Sequence, residues 1–229
     1  MKTEFWKYQG IGNDFIILDG RDNDLNAFLS NNQNDFIEKL CDRKFGIGAD
    51  GILLLLNSSI NCLYQMKIFN SDGSEPEMCG NGIRCLISYL INNNLVIDRS
   101  NIKIETKAGI ISSSVTSNNN FKVNMGVPSL EPQKIPTLLT LNNKGVPSGN
   151  ITVNSINLKV YAASMGNPHM IIFVENIDEI PFKDWGQYLE KHKTFPSFTN
   201  VHFIQVLDKY NIKVIVWERG CGPTLACGT

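Results

Sequence analysis

The 229-residue chain reads as an α+β protein built from two half-chains of similar topology with a cleft between them. Three observations predict this. Short segments of alternating polar and apolar residues, many rich in β-branched and aromatic side chains, recur along the whole length, as half-buried strands require. Helical spacing of apolar residues is confined to three places. Sequence features of the first half return in the second in the same order.

Taken in order, strands are expected at 3–9, 15–18, 52–56, 63–69, 102–106, 110–115, 121–125, 158–164, 170–174, 201–207 and 212–217. Asp35 to Arg43 places Phe36, Ile37, Leu40 and Cys41 on one helical face behind Asn34 as candidate cap, and Asp184 to His192 groups Trp185, Tyr188 and Leu189. Both read as surface helices. A third helix after Gly82 spaces Ile83, Leu86, Ile87, Leu90 and Ile91 by threes and fours, with Cys85 and Tyr89 widening the face. It carries little charge and is expected to be wrapped by strands. The Asn92-Asn93-Asn94 and Asn118-Asn119-Asn120 tracts read as surface loops.

The repeat is the most useful organisational signal. Gly12-Asn13-Asp14-Phe15-Ile16-Ile17 returns loosely as Gly166-Asn167-Pro168-His169-Met170-Ile171, each leading into an apolar strand. Asn70 and Glu218 each end a strand nine positions before a Cys-Gly pair, Cys79-Gly80 and Cys227-Gly228. The boundary is expected near 117, giving halves 1–117 and 118–229. The first half runs from its Cys-Gly pair into the apolar helix, so the second half, which ends at Thr229, is expected to lack that helix.

Composition excludes several classes of function. The charge is −1, with 21 basic and 22 acidic residues spread along the chain, so no basic stripe exists for nucleic acid or anionic lipid. No apolar run approaches the roughly 20 residues of a membrane helix, and the start has no apolar signal region. A cytoplasmic protein acting on a small molecule is the expectation. Six cysteines without an export signal read as free thiols.

Two of these thiols carry chemistry. Cys79 precedes a Gly-Asn-Gly turn and the apolar helix, where free backbone N–H groups and the helix dipole stabilise a thiolate and draw its pKa below the ordinary value near 8.5. Cys227 has the same local grammar. Two such thiols facing one pocket suit a two-base reaction, in which one removes a proton from a stereocentre and the other delivers one from the opposite side. Such a pair titrates as a coupled unit, and activity peaks between its two apparent pKa values. No cofactor is needed, PLP included. Cys41, Cys62 and Cys85 read as small buried hydrophobes. The five-residue gaps from Cys79 to Cys85 and from Cys221 to Cys227 do not match structural zinc spacing, so no metal is expected. His192 and His202 read as satisfied surface or core groups, whereas His169 stands out because it mirrors Phe15.

Across Lys7 to Asp19, Phe45 to Gly51, Phe69 to Ser74, Met78 to Gly82, Glu105 to Gly109, Asn124 to Gly126, Ser164 to His169, Asn200-Val201 and Glu218 to Thr229, the chain resembles the diaminopimelate epimerase family. The resemblance implies two domains, each a small barrel-like sheet around a central helix, and interconversion of LL- and meso-diaminopimelate. By matched position Cys227 would accept and Cys79 donate the proton for the LL substrate, with His169 and Glu218 tuning the thiols. Asn13, Asn70, Asn167 and Asn200 match substrate-binding asparagines. Glu218-Arg219 would hold the distal amino and carboxylate ends, and the amides of Gly80-Asn81 and Gly228-Thr229 the reacting carboxylate. Some members carry a substrate-contacting Gln where Gly51 stands, so that contact is not carried over. The family continues past Cys227 through a helix and final strands, and homodimers are expected from it. A proline or hydroxyproline racemase relative, commonly with His where Asn81 stands, and a truncated binding module that exposes apolar surface are the alternative readings.

Overall fold

The computed structural model describes residues 3–22, 25, 35–118, 120–225, 227 and 228. The chain packs as two units, one spanning Met1–Gly126 and taking in Gly228, the other spanning Val127–Cys227. Both are mostly sheet, curled as half-barrels, with few helices.

In the first unit the strands lie side by side in chain order: β1 (Trp6–Gly10), β2 (Asn13–Asp19), β3 (Gly51–Leu56), β4 (Tyr64–Asn70), β5 (Ile102–Thr106), β6 (Gly109–Val115) and β7 (Phe121–Asn124). The β2–β3 and β4–β5 pairs are parallel and the others antiparallel. Each parallel pair needs a crossover. The first contains the helical residues 35–41 (α1) and the second helix α2 (Gly80–Asn92). The two helices cover opposite faces of the sheet, as the alternation of β2 and β3 demands. Phe15, Ile17, Leu53 and Leu55 pack on the α2 side with Ile83, Leu86, Ile87 and Leu90, and strands β5 and β6 close over the same core through Ile102, Ile104 and Ile111. Ile16, Leu18, Ile52 and Leu54 pack on the α1 side with Ile37 and Cys41. Because α2 is wrapped by strands, each of its four buried aliphatic side chains contributes roughly 1.5–3 kcal/mol of burial.

Helix α2 begins earlier than expected. Gly80-Asn81-Gly82 is its first turn rather than a turn that feeds it. A β-carbon on Gly82 would lie 3.0 Å from Cδ2 of Leu53, so a side chain fits there only if Leu53 yields by a few tenths of an ångström. At the other end Asn94 adopts φ of +56°, a left-handed conformation that asparagine tolerates, and Leu95 N–H donates to Leu90 at 2.8 Å. The Asn92-Asn93-Asn94 tract therefore terminates a helix rather than merely filling a loop.

The second unit holds β8 (Thr140–Leu141), β9 (Pro147–Val153), β10 (Ile156–Ser164), β11 (Pro168–Phe173), β12 (Asn200–Val206), β13 (Ile212–Glu218) and β14 (Gly222–Thr224), again adjacent in chain order. Only β11–β12 is parallel, and its crossover carries α3 (Phe182–Glu190). Trp185 and Leu189 of α3 pack on Met170, Ile172, Val201 and Phe203, the face equivalent to the α1 side of the first unit. Tyr188, expected on that buried face, is half exposed. The opposite face bears His169 and His202 near one end and the exposed Phe173, Val206, Ile212 and Val214 toward the other.

Three strands were not anticipated. β9 opens with Pro147 and contains Gly149-Asn150, residues that signal a turn, yet Pro is tolerated as the first residue of a strand. β8 and β14 are too short to show alternation. The first unit runs through Gly126, with β7 pairing with β6 from Ser112–Asn124 to Val115–Phe121. Asn34 lies outside the described residues. Among the described residues no helix is long and apolar enough to cross a membrane.

The strand register reproduces the internal repeat. Phe15 pairs with Gly51 and Gly51 with Asn70; His169 pairs with Asn200, and Val201 with Trp217, which sets Asn200 opposite Glu218. Phe15, Gly51 and Asn70 thus correspond to His169, Asn200 and Glu218, and two residues further along the strand Leu53 corresponds to His202.

Candidate active site

Each unit assembles its own cluster of the polar residues singled out from the sequence. In the first, Cys79 is the N-cap of α2, with extended backbone, and its sulfur accepts the N–H of Gly82 at 3.3 Å. A helix amino terminus offers unpaired N–H groups and partial positive charge, so negative charge on this sulfur is stabilised where it forms. The thiol lies 3.8 Å from Oδ1 of Asn13, which also accepts from Nδ2 of Asn81 at 3.4 Å. Asn13 and Asn81 are buried, whereas Cys79 is half-buried and therefore reachable.

Asn13 is itself held. Its Nδ2 donates to Asp50 at 2.9 Å, and the same carboxylate oxygen accepts the backbone N–H of Asp14 at 3.0 Å. Arg43 clamps Asp14 at 2.6 Å and Asp50 at 2.7 Å, and Lys7 sits 3.1 Å from Asp14. Burial opposes ionisation of Asp14, but the hydrogen bonds and charges of Arg43 and Lys7 outweigh it and hold its pKa down at about 2. Asp14 is therefore charged throughout the neutral range, and the network orients the amide beside Cys79. Arg84 donates to the Gly80 carbonyl at 3.0 Å and to the Asn81 side chain. A β-carbon on Gly80 would lie 2.8 Å from the backbone of Gly228, so neither glycine tolerates a side chain. Asn70 closes its own turn, donating to Ser74 Oγ at 2.9 Å.

In the second unit His169 is flanked on both ring nitrogens. Nε2 lies 2.7 Å from Oδ1 of Asn167 and Nδ1 lies 2.8 Å from Nε2 of His202. A carboxamide oxygen only accepts, so His169 carries its proton on Nε2 and accepts at Nδ1, and His202 is the Nε2–H donor. Burial, the neighbouring His202 and the charge of Arg219 push His169 down to about 3; burial pushes His202 down to about 4. Both rings are neutral at pH 7. The sulfur of Cys227 completes the group: one donor atom from each of His169, His202 and Cys227 lies within 4.8 Å of the others. Cys227, like Cys79, is half-buried.

The remaining residues brace this cluster. Asn200 donates to the Pro168 carbonyl at 3.0 Å and accepts the Arg219 N–H at 2.9 Å, tying β11 to the turn after β13. Glu218 is buried and accepts from Thr224 at 2.8 Å, while the Arg219 guanidinium donates to the Ser197 carbonyl at 3.1 Å. Glu190 of α3 accepts from Trp217 Nε1 at 2.7 Å and from Gly220 N–H at 2.9 Å, fixing the same turn from beneath. Thr229 lies outside the described residues.

Asn13, Cys79 and Asn81 are thus brought together in one unit, and Asn167, His169 and Cys227 in the other, where Asn200 and Arg219 are joined by their own hydrogen bond. Three positioning residues were missed. Asp50 and Glu190 are acidic residues whose partners are distant in sequence, so no local pattern marks them. His202 was readable: it lies two residues after Asn200 on a strand and must share its face. The cysteine spacings gave no zinc signal, and the structure brings donor atoms of two histidines from adjacent strands and of Cys227 together instead.

Residues 5–131 and 161–229 match the family model described as diaminopimelate epimerase. The chain is 63% identical over 229 residues to the diaminopimelate epimerase of Prochlorococcus marinus strain NATL1A, covering 100% of this chain and 81% of that protein. It is 49% identical over 228 residues to that of Prochlorococcus marinus strain MIT 9313, covering 99% and 75%. Among solved structures, a probable proline racemase from Agrobacterium radiobacter K84 with bound carbonate superposes with a TM-score of 0.67 at 14% identity, covering 99% of this chain and 74% of that one. At that identity the likeness concerns the fold.

Proposed function

We propose that this chain, which belongs to the diaminopimelate epimerase family, interconverts LL- and meso-2,6-diaminopimelate without PLP or any other cofactor, serving lysine and peptidoglycan synthesis. The observation that carries the reading is the Cys79 sulfur, reachable and capped by a helix amide, in a chain 63% identical over its full length to a protein of that name.

Inversion requires two bases on opposite faces of the α-carbon. For the LL substrate Cys227 as thiolate removes the proton and Cys79 as thiol supplies one, and the roles exchange in reverse. An amino acid α-proton is weakly acidic, so the carbanion must be met by fixed donors on the substrate carboxylate. The backbone amides of Gly80-Asn81 and Gly228-Thr229 suit this role, and Asn13, Asn70, Asn167, Asn200, Glu218 and Arg219 bind the rest of the substrate. The Arg219 guanidinium matches a carboxylate in charge and shape. Asn13 orients one thiol; the neutral His169, locked between Asn167 and His202, tunes the other together with Glu218. The mechanism needs reduced thiols, which the cytoplasm maintains, and the protein works as a homodimer.

The test is epimerisation of LL-diaminopimelate by the reduced protein without added PLP, with Cys79→Ala and Cys227→Ala as separate variants. Each single substitution is expected to abolish inversion. A folded, reduced wild-type protein that leaves the substrate unchanged would defeat the reading.

A further inference from the structure

We infer that His169, His202 and Cys227 form a binding site for a thiophilic divalent cation of the Zn2+ type, and that the ion blocks the proton-transferring sulfur. Two imidazoles and a thiolate are a borderline-soft donor set, which suits Zn2+ and Co2+ and not Mg2+ or Ca2+.

The geometry is close to what such an ion takes. The donor atoms of the three side chains lie within 4.8 Å of one another, and the two imidazole nitrogens face each other at 2.8 Å. Tetrahedral coordination with metal–ligand bonds of about 2.0–2.3 Å places donors roughly 3.3–3.6 Å apart. On binding, the histidine nitrogens part slightly and the sulfur closes in. His169 and His202 stand on adjacent parallel strands, in the diagonal relation set by the His169–Asn200 pair, so the backbone holds their spacing.

The surroundings include the supporting hydrogen bond that metal-binding histidines use. Nε2–H of His169 is committed to Oδ1 of Asn167, which leaves Nδ1 as the lone pair facing His202. The other buried thiols lack such company: Cys41 and Cys85 sit in apolar clusters. Three protein donors leave a fourth position for water or an anionic ligand.

Binding is balanced by one proton. The Cys227 thiol loses its proton to solvent as the metal–sulfur bond forms, and His202 shifts its proton from Nε2 to Nδ1 without net release. A thiolate that has given a lone pair to the ion is a much weaker base toward an α-proton. Inhibition therefore rests on the epimerase reading above, whereas binding rests on the cluster alone.

Titration of the reduced, metal-free chain with Co2+ under argon tests the site directly. One equivalent is expected to give a sulfur-to-cobalt charge-transfer band with tetrahedral d–d bands, which Zn2+ then bleaches. The bands should persist in Cys62→Ala and Cys221→Ala and vanish in Cys227→Ala and His202→Leu. Because His202→Leu removes a buried hydrogen bond, His202→Gln serves as the folded counterpart: its amide still donates to His169 but is a poor ligand, so cobalt binding should also be lost. Absence of a charge-transfer band, or one that survives Cys227→Ala or His202→Gln, overturns the inference. Failure of the metal-free protein to exchange substrate α-hydrogen would instead count against the epimerase reading and leave the spectroscopic result standing.

Discussion

At the scale of single residues, the arrangement separates the groups proposed to meet substrate from those that hold them in place. Asp50 acts one step back from Cys79: it fixes Asn13 and the Asp14 backbone together. Asp50→Ala should lower kcat/KM by about 100-fold, the size expected when a reacting group is misplaced by roughly 1 Å; steady-state kinetics on folded protein checks this, and an unchanged value would make Asp50 merely structural. His202 faces His169 across a hydrogen bond of 2.8 Å. His202→Gln, which keeps a donor, should retain most activity near pH 7, whereas His202→Leu should lose it, because His169 Nδ1 is left without its donor. Equal losses in the two variants would mean that the ring's bulk, not its N–H, matters.

Elements show why part of the site was legible and part was not. Cys79 could be placed at a helix start from Gly80-Asn81-Gly82 and the apolar spacing behind it, and the structure adds that those three residues are the helix's first turn. The repeat predicted that Phe15 and His169 are equivalent, and the strand register agrees. By contrast, β9 was hidden by its Pro147 and Gly149, and the partnership of Glu190 with Gly220 spans 30 residues that no local pattern connects. Helix α3 lies so close to β13 that a β-carbon on Gly186 would stand 2.6 Å from the Trp217 ring. Gly186→Ala should therefore cost about 1–3 kcal/mol as overpacking, read as a lower urea midpoint. A midpoint equal to wild type would show that the helix and ring can part freely.

For the whole molecule, stability should depend on pH through the buried histidines. Free imidazole titrates near 6.5, while His169 and His202 are pushed down to about 3 and about 4 by burial. Depressed values of this kind mean that the unfolded chain binds protons first. Their contribution is full above pH 6.5 and is lost as pH falls toward 4, by up to about 1.4 kcal/mol per pH unit for each ring. Urea unfolding at pH 7 and pH 5 should show the loss, and His202→Gln should flatten it; equal slopes would contradict the assignment. The central claim is that two sulfurs share one proton transfer, and the most direct measurement is isotope incorporation during the first turnovers of LL-diaminopimelate in D2O. Product meso isomer is expected to carry deuterium at the inverted carbon while unreacted substrate still carries hydrogen, because the arriving atom comes from a different, solvent-exchanged thiol. Product that retains the original hydrogen would mean that a single group removes and returns the same proton, and would contradict the account.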